Sequence, residues 1–472
     1  MRRRPVRRHE RQGAAAPTAA AVPDRRRARL RDPVRLLRAA HPGGRPAGPA
    51  RTAALTVPPA RVPLGVLDRV LLREAARAPH ESYLHIGGAV VLTGTPPTAA
   101  ELGGLVTAAV RRVPVLTYRL GGRWPRAWWE PDPGFDPAEH VEVVDAEPGE
   151  DAHRAVTRAV ATRPLRRDRP LWGLLLVRGC ADGYALCYRA HHAFQDGVAA
   201  GRTAAALLGA SRLPAPRPVE PGPPVAAVTK GVPDLLRLAR RAGRLPEQPT
   251  GPRDPHLVRL DADLFGGAGA TVFQVVLAAL ATALHDWGPG PGPGPVPRRG
   301  LGAVVPVSVH PAGSCLGNRV VLIPVDLPAA EPAACLARVV AQTRLPRLAR
   351  CRAARGLVDR MPLWTARLVA AVLRWAWRGR IAVTAVRAGA ALPGEVFPVP
   401  PMVPPLGGLV AVVHGGSGVV VSLEFPGRRD VDELGRLLHR AVVDLGRLDP
   451  GRADTSRFDL GRPAGPGGSA AR

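Results

Sequence analysis

The sequence predicts an α/β protein of two lobes, each mixing strands with flanking helices. Three observations carry this expectation. The 472 residues exceed one ordinary core and suit two mid-sized domains. From Arg61 to about Asp449, apolar runs of strand length alternate with stretches of helical period. A breaker-rich stretch at 212–255, opening with LPAPRPVEPGPPV, reads as a linker between an N-terminal lobe at 61–211 and a C-terminal lobe at 256–449.

The elements follow in order. Residues 66–76 have helical spacing, 83–92 (YLHIGGAVVL) read as a strand, and 98–113 return to a helical period that stops before Pro114. Residues 124–136, WPRAWWEPDPGFD, form an aromatic, proline-rich loop, followed by the strand HVEVVD and a helix over 151–162. Two apolar runs, 171–177 and 184–189, are separated by Gly179 and Asp182-Gly183 and read as antiparallel or neighbouring strands. A helix at 198–208 closes the first lobe. The second lobe is expected to hold helices at 271–287, 331–344, 361–377 and 431–445. Its strands are expected near 302–307, 319–325, 408–413 and 418–424, with a Gly-Pro spacer at 288–299.

Composition narrows the function classes. A net charge of +28 suggests nucleic acid, because clustered arginine neutralises phosphates. The distribution argues otherwise. Residues 1–60 hold 15 Arg against Glu10, Asp24 and Asp32 in a Pro/Ala/Arg segment without hydrophobic period, which is expected to be a disordered arm or an over-extended gene start. Lys230 is the only lysine and Asn318 the only asparagine, the mark of a GC-biased coding sequence. No specific nucleic-acid partner is expected. Cys180, Cys187, Cys315, Cys335 and Cys351 include no Cys-x-x-Cys pair and no zinc-like spacing, so they read as buried thiols, with no metal expected. The basic N-terminus is not followed by an apolar core of a signal peptide, and no run of about 18 apolar residues spans a membrane. The expected location is cytoplasmic, with contact at the inner membrane face. The tail at 450–472 is polar and loose.

The sharpest chemical signal is His191-His192-Ala193-Phe194-Gln195-Asp196-Gly197, at the end of the second apolar run. A strand end lets a side chain project into a cleft from rigid support. A hydroxyl is a poor nucleophile near neutral pH, and a positioned imidazole can take its proton as it attacks a thioester. His192 is the expected general base. His191 alternates to the other strand face and is expected to pack or hydrogen-bond. Asp196 is expected to orient the loop through a pair with arginine. Gly197 is expected to let the backbone turn tightly or approach a ligand, and so to serve substrate binding.

HHxxxDG is the pattern of CoA-dependent acyltransferases and of condensation domains of peptide synthetases. The flanking residues resemble the bacterial wax ester synthase/diacylglycerol acyltransferase family, of which this chain looks like a divergent member. They are PLGVLDRVLLRE (63–74), LHIGGAVVL (84–92), RRVPVLTYRL, FDPAEHV, RPLW (169–172), TVFQVVLAALATAL (271–284), VPVSV (305–309) and GNRVVLIPVDLP (317–328). The resemblance covers about 61–446. It implies a two-lobed, chloramphenicol acetyltransferase-like fold with the catalytic loop between the lobes. It also implies transfer of a fatty acyl group from acyl-CoA, a co-substrate rather than a cofactor, to a diacylglycerol or long-chain alcohol, giving triacylglycerol or wax ester. Arg169, Pro170, Leu171 and Trp172 match the PLW segment, with a structural role expected. Departures fall at Gly65, at Phe273-Gln274 where the family has Asn-Asp, and at Thr384 to Gly389, where it has Asn-Val-Pro-Gly-Pro after a Thr. They bear on the acceptor. The alternatives are a condensation-type acyltransferase on another acceptor and a catalytically weakened lipid-binding homologue.

Residues 361–380, MPLWTARLVAAVLRWAWRGR, mix Trp364, Trp375 and Trp377 with Arg367, Arg374, Arg378 and Arg380. The composition suits an interfacial helix at a membrane or lipid-droplet surface, or an ordinary helix packed on the second-lobe sheet.

Overall fold

Uncharged runs of Val, Leu and Ala in the sequence become the inner strands of two sheets. The computed structural model describes residues 61–123, 126–209, 212–217, 255–266, 270–287, 301–310, 314–328, 331–344, 348–350, 355, 361–388, 394–401, 406–415, 418–425 and 430–447. The arm at 1–60, most of the linker at 212–255, the spacer at 288–299 and the tail at 450–472 lie outside them.

The first half comprises β1 (Val62–Pro63), α1 (Val66–Ala75), β2 (His85–Leu92), α2 (Ala99–Val110), β3 (Tyr118–Gly121), β4 (Trp128–Pro131), β5 (Val141–Asp145), α3 (Ala152–Thr162), β6 (Trp172–Cys180), β7 (Gly183–His191) and α4 (Gly197–Leu208). The second half supplies β8 (His256–Leu260), α5 (Val272–Asp286), β9 (Leu301–Ser308), β10 (Val320–Leu327), α6 (Pro332–Gln342), α7 (Ala366–Trp377), β11 (Ile381–Arg387), β12 (Glu395–Val399), β13 (Gly408–Gly415), β14 (Gly418–Glu424) and α8 (Val431–Gly446). The strand expected from residue 83 is preceded by a 3₁₀ turn, Glu81–Leu84, and starts at His85. The aromatic segment at 124–136 is more than a loop, because β4 within it pairs with both β1 and β3 and buries Trp129 completely.

Two sheets organise the molecule. A five-stranded sheet runs β12-β2-β7-β6-β5, and a six-stranded sheet runs β10-β9-β11-β13-β14-β8. In the first, β6 and β7 form the expected antiparallel pair, closed by Gly183 at a φ of 134°, where an added Cβ would stand 2.3 Å from the Leu92 carbonyl oxygen. Only glycine fits that turn. In the second, β11 pairs in parallel with both β9 and β13, while β13 and β14 form an antiparallel pair. One strand crosses between halves. β12, late in the chain, pairs antiparallel with β2, and its Phe397 is buried in the core beneath the first sheet.

Helix ends follow local chemistry. Thr98 and Glu101 form a capping box on α2, Thr271 and Gln274 form another on α5, and Asp151 caps α3. α5 is apolar on nearly every side because it is packed among the second-lobe strands, α6 and α8. Cys180, Cys187, Cys315 and Cys335 are buried free thiols, burial pushing Cys187 up to about 12, and Cys351 lies outside the described residues. Among the described residues no helix is long and apolar enough to cross a membrane.

Candidate active site

β7 is buried along almost its whole length, which makes its C-terminal end a rigid support. The loop leaving it is tied on both sides. The His191 N–H donates to the Leu171 carbonyl at 2.9 Å and the His192 N–H to the Leu84 carbonyl at 2.7 Å, both in the first half. From the second half, the Gly317 N–H donates to the Phe194 carbonyl at 2.7 Å, and Gln195 and Gly317 form an isolated parallel bridge. Gln195 is fully buried: its Oε1 accepts from the Tyr188 hydroxyl at 2.8 Å, and its Nε2 donates to Thr203 Oγ1 at 2.7 Å and to the Cys315 carbonyl at 2.9 Å.

His192 is half-buried on the wall of a cavity of about 200 Å³ between the lobes. The wall is mostly apolar. Leu67, Val70 and Leu71 of α1, Ile86 and Val90 of β2, Gly197 and Gly201 of α4, Val304 and Pro306 of β9, Val386 of β11 and Trp377 of α7 all contribute. Burial pushes the His192 pKa below its ordinary value, while the bond to the Gln195 carbonyl and the charge of Asp196 pull it back up. The ring is therefore neutral near pH 7. Its Nδ1 stands 3.3 Å from the Gln195 carbonyl oxygen. An Nδ1–H donating there leaves the lone pair on Nε2, the tautomer a base needs.

His191 is fully buried, and its Nδ1 accepts from the Ala193 N–H at 3.0 Å. Its ring lies edge-on to His85 at 6.3 Å, and burial drives its pKa down to about 3.

Asp196 corrects the sequence expectation. Its partner is a histidine rather than an arginine side chain: Oδ2 is 3.1 Å from His310 Nε2, with both side chains 1% exposed. The same oxygen accepts from Ser308 Oγ at 3.1 Å and from the Arg319 backbone N–H at 3.3 Å, while Oδ1 caps α4 through the Ala199 N–H at 2.9 Å. Burial alone would raise the carboxyl, but the charge and hydrogen bond of His310, the Ala199 N–H and the charge of His192 hold it well below the usual carboxylate range. An arginine is unnecessary because the end of β9 brings Ser308 and His310 to the carboxylate together.

For Gly197 one of the two expectations, the tight turn, does not hold. Its φ is not positive, and an added Cβ would stand 3.6 Å from Val386 Cγ2, an ordinary contact, so no tight turn requires glycine there. One helical turn on, a Cβ on Gly201 would stand 3.0 Å from Val386 Cγ1. Gly201 is the glycine that lets α4 lie close to β11 beside the cavity.

The PLW segment underlies the loop. The Leu171 carbonyl receives His191, and Trp172 donates from Nε1 to the Leu116 carbonyl at 2.7 Å while stacking on His140 at 4.5 Å and on Tyr188 at 5.8 Å. The Pro170 carbonyl accepts from the Trp172 N–H at 2.9 Å, and Arg169 pairs with Glu139 at 2.9 Å. Of the departures, Phe273-Gln274 lies away from the cavity: Phe273 is core, and Gln274 caps α5 and donates to Thr343 Oγ1 at 2.8 Å. Thr384 to Ala388 does line the cavity, and Gly389 lies outside the described residues.

Sequence reasoning did not single out Asn318, Asp68 or His310. Asn318 Nδ2 donates to the His192 carbonyl at 3.1 Å, and the Asn318 N–H donates to Asp68 Oδ1 at 2.7 Å. The signal was available, since Asn318 is the only asparagine of the chain.

The model of the wax ester synthase/diacylglycerol acyltransferase catalytic domain matches residues 67–262. A putative diacylglycerol O-acyltransferase of Mycobacterium tuberculosis strain H37Rv is 30% identical over 148 residues, 30% of this chain and 32% of that protein. The probable diacylglycerol O-acyltransferase tgs1 of the same strain is 32% identical over 154 residues, again 30% of this chain and 32% of that protein. The chain thus spans about a third of the length of the curated relatives it matches. Among solved structures, the wax ester synthase/diacylglycerol acyltransferase from Marinobacter aquaeolei VT8 aligns with a TM-score of 0.54 at 20% identity, covering 81% of this chain and 98% of that one. The first condensation domain of the CDA synthetase aligns with a TM-score of 0.57 at 17% identity, covering 84% and 98%. The fold is the two-lobed acyltransferase fold that these proteins share. The match runs from α1 through the HHxxxDG loop and past β8, so residues 67–262 are similar to the catalytic domain of the wax ester synthase/diacylglycerol acyltransferase family.

Proposed function

We propose that this chain is an acyl-CoA-dependent O-acyltransferase that esterifies a diacylglycerol or a long-chain alcohol. The observation that carries the reading is His192 at the end of β7, on the wall of an apolar cavity between the lobes. The acceptor O–H gives its proton to Nε2 as its oxygen bonds to the thioester carbon. The tetrahedral adduct collapses, the C–S bond breaks, and the imidazolium returns the proton to the departing thiolate. No enzyme-bound acyl group is needed, and acyl-CoA enters as co-substrate. Asp196 keeps the loop in place and His191 packs beneath it. The smallness of Gly197 keeps the cavity open beside the base. The match to diacylglycerol O-acyltransferases supports the acceptor class, and a structural neighbour, the starter condensation domain of rhizomide synthetase, is a complex with C8-CoA.

The same reading sets the enzyme against a lipid surface. α7 packs Ala366 and Ala370 on Val66 and Val70 of α1, and Leu373 and Trp377 face the cavity. Its other side exposes Trp364 (77%), Leu368 (59%), Val372 (52%) and Trp375 (49%), a continuous apolar stripe at helical spacing. Arginines surround it. Arg73, Arg77, Arg367 and Arg374 lie near one another, with Glu74 pairing Arg374 at 2.6 Å and Arg77 at 3.3 Å, and the excess positive charge suits anionic headgroups. Trp377, half-buried at the cavity, and Arg380, buried, are not part of this surface.

The test is incubation of the protein with palmitoyl-CoA and a panel of alcohols and diacylglycerol, with the products resolved. Ester formation that requires the acceptor supports the reading. Turnover of a carrier-protein thioester alone points to condensation chemistry, and binding without turnover to a lipid carrier.

A further inference from the structure

We propose that Asn318 is a positioning residue that holds His192 from the second half of the chain, and that Asp68 on α1 fixes Asn318 in turn. The proposal rests on the reading of His192 as the base. Asn318 meets His192 twice: Nδ2 donates to the main-chain carbonyl at 3.1 Å and lies 3.3 Å from the ring Nδ1. The residue is 1% exposed, so water does not compete for these contacts. Its main chain is anchored as firmly. The Asn318 N–H donates to Asp68 Oδ1 at 2.7 Å, and Arg355 Nη2 donates to the Asn318 carbonyl at 3.2 Å. Asp68, also 1% exposed, accepts on Oδ2 from the Gly65 N–H at 2.9 Å and from Trp129 Nε1 at 3.4 Å.

The preceding residue makes the approach possible. Gly317 has a φ of 81°, and a Cβ there would stand 3.1 Å from Asp68 Oδ2, so any other residue would be strained and would crowd the carboxylate. The left-handed turn carries the chain from the bridge with Gln195 directly to Asn318 at the base. Composition points the same way. In a chain that uses asparagine nowhere else, the single one touches the proposed catalytic histidine.

The choice of a neutral amide has a chemical sense. Asp196 is the carboxylate whose charge acts on the His192 pKa, pulling it up against burial. A second carboxylate on Nδ1 would raise it further and leave the base protonated near neutrality. An amide instead donates to the His192 main-chain carbonyl and brings no charge beside the ring. Asp68 stands behind the Asn318 main chain, so its charge meets the peptide N–H instead of the imidazole.

Two variants test this in the full-length chain: Asn318→Asp, which keeps the shape and adds the charge, and Asn318→Ala, which removes the contact. The first readout is the His192 imidazole titration by NMR, assigned by difference from His192→Ala. Asn318→Asp should move it up by about one unit or more. The second is transfer from palmitoyl-CoA. Asn318→Ala should lower kcat about tenfold or more with KM for palmitoyl-CoA changed less than about threefold, since a loosened base loses rate rather than substrate binding. In Asn318→Asp the acidic limb of the kcat/KM profile should move up with the titration. Asp68→Asn, which keeps the shape but weakens the anchor, should show a smaller kcat loss and no shift of the limb. An unmoved His192 titration in Asn318→Asp, or an unchanged kcat in Asn318→Ala, overturns the proposal. If the parent protein shows no transfer, the functional reading fails, and the titration still decides whether Asn318 holds His192.

Discussion

Asp196 and His310 meet at 3.1 Å with both side chains 1% exposed, and this pair joins the HHxxxDG loop to the end of β9. Removing one partner of a buried hydrogen-bonded pair leaves the other desolvated and unsatisfied, at a typical cost of about 1–3 kcal/mol and more when that group is charged. His310→Ala and Asp196→Ala should each lower the melting temperature by several degrees and reduce soluble yield along with activity. Because the Asp196 pKa is depressed by folding, its contribution is complete above about pH 4 and is lost as the pH falls further. A stable but inactive Asp196→Ala protein would instead assign the carboxylate a direct part in the chemistry.

His192→Ala should lower acyl transfer about a hundredfold or more, the size of a general-base contribution, with little change in melting temperature because the ring is only half-buried. His191→Ala should behave in the opposite sense, costing stability through a cavity and an orphaned Ala193 N–H more than it costs rate. Equal turnover by His192→Ala and the parent would falsify the mechanism.

The acid side of the stability profile has a second origin. Burial lowers the pKa of His191 to about 3 and of His153, beside Phe397, to about 4. Between about pH 6.5 and those values the unfolded chain binds protons that the folded chain refuses, so stability is full above about 6.5 and falls as the pH drops. Thermal melts at pH 7, 5.5 and 4.5 should show the decline, and His153→Leu should flatten it. A melting temperature that holds constant across this range would contradict the lowered pKa of both rings.

The α7 surface makes a separable prediction. Trp364→Ala with Trp375→Ala should leave the melting temperature nearly unchanged, because both side chains are exposed, yet reduce co-sedimentation with anionic vesicles. Added salt should weaken binding of the parent protein by screening the arginines. Trp377→Ala should do the reverse, altering turnover of long acyl chains through the cavity wall while vesicle binding persists. Unchanged co-sedimentation of the double variant would locate the lipid contact elsewhere.

Much of this molecule was legible in its sequence. Helical period fixed α1, α3 and α5 to within a residue or so, and apolar runs located β6 and β7, because these elements bury one consistent face or both. The HHxxxDG letters led directly to His192 at a strand end. What period cannot encode is a partner distant in sequence. Asp196 reaches His310, and Asn318 reaches His192 across 126 positions, so the expectation of arginine followed a charge rule where the fold supplied a histidine. β4 was hidden for a different reason: its prolines and tryptophans read as loop, and only pairing with β1 and β3 makes them strand.

The insertion of β12 beside β2 joins residues about three hundred positions apart, Glu395 opposite Val91. During synthesis the polypeptide leaves the ribosome from its N-terminus, so β2 must wait with one hydrogen-bonding edge open while β8 to β11 of the second sheet are made. The first lobe therefore has no complete form of its own, and a chain released before residue 399 would present that edge to its neighbours. Refolding from denaturant meets the same obstacle as a slow, late step set by closure of a very long loop.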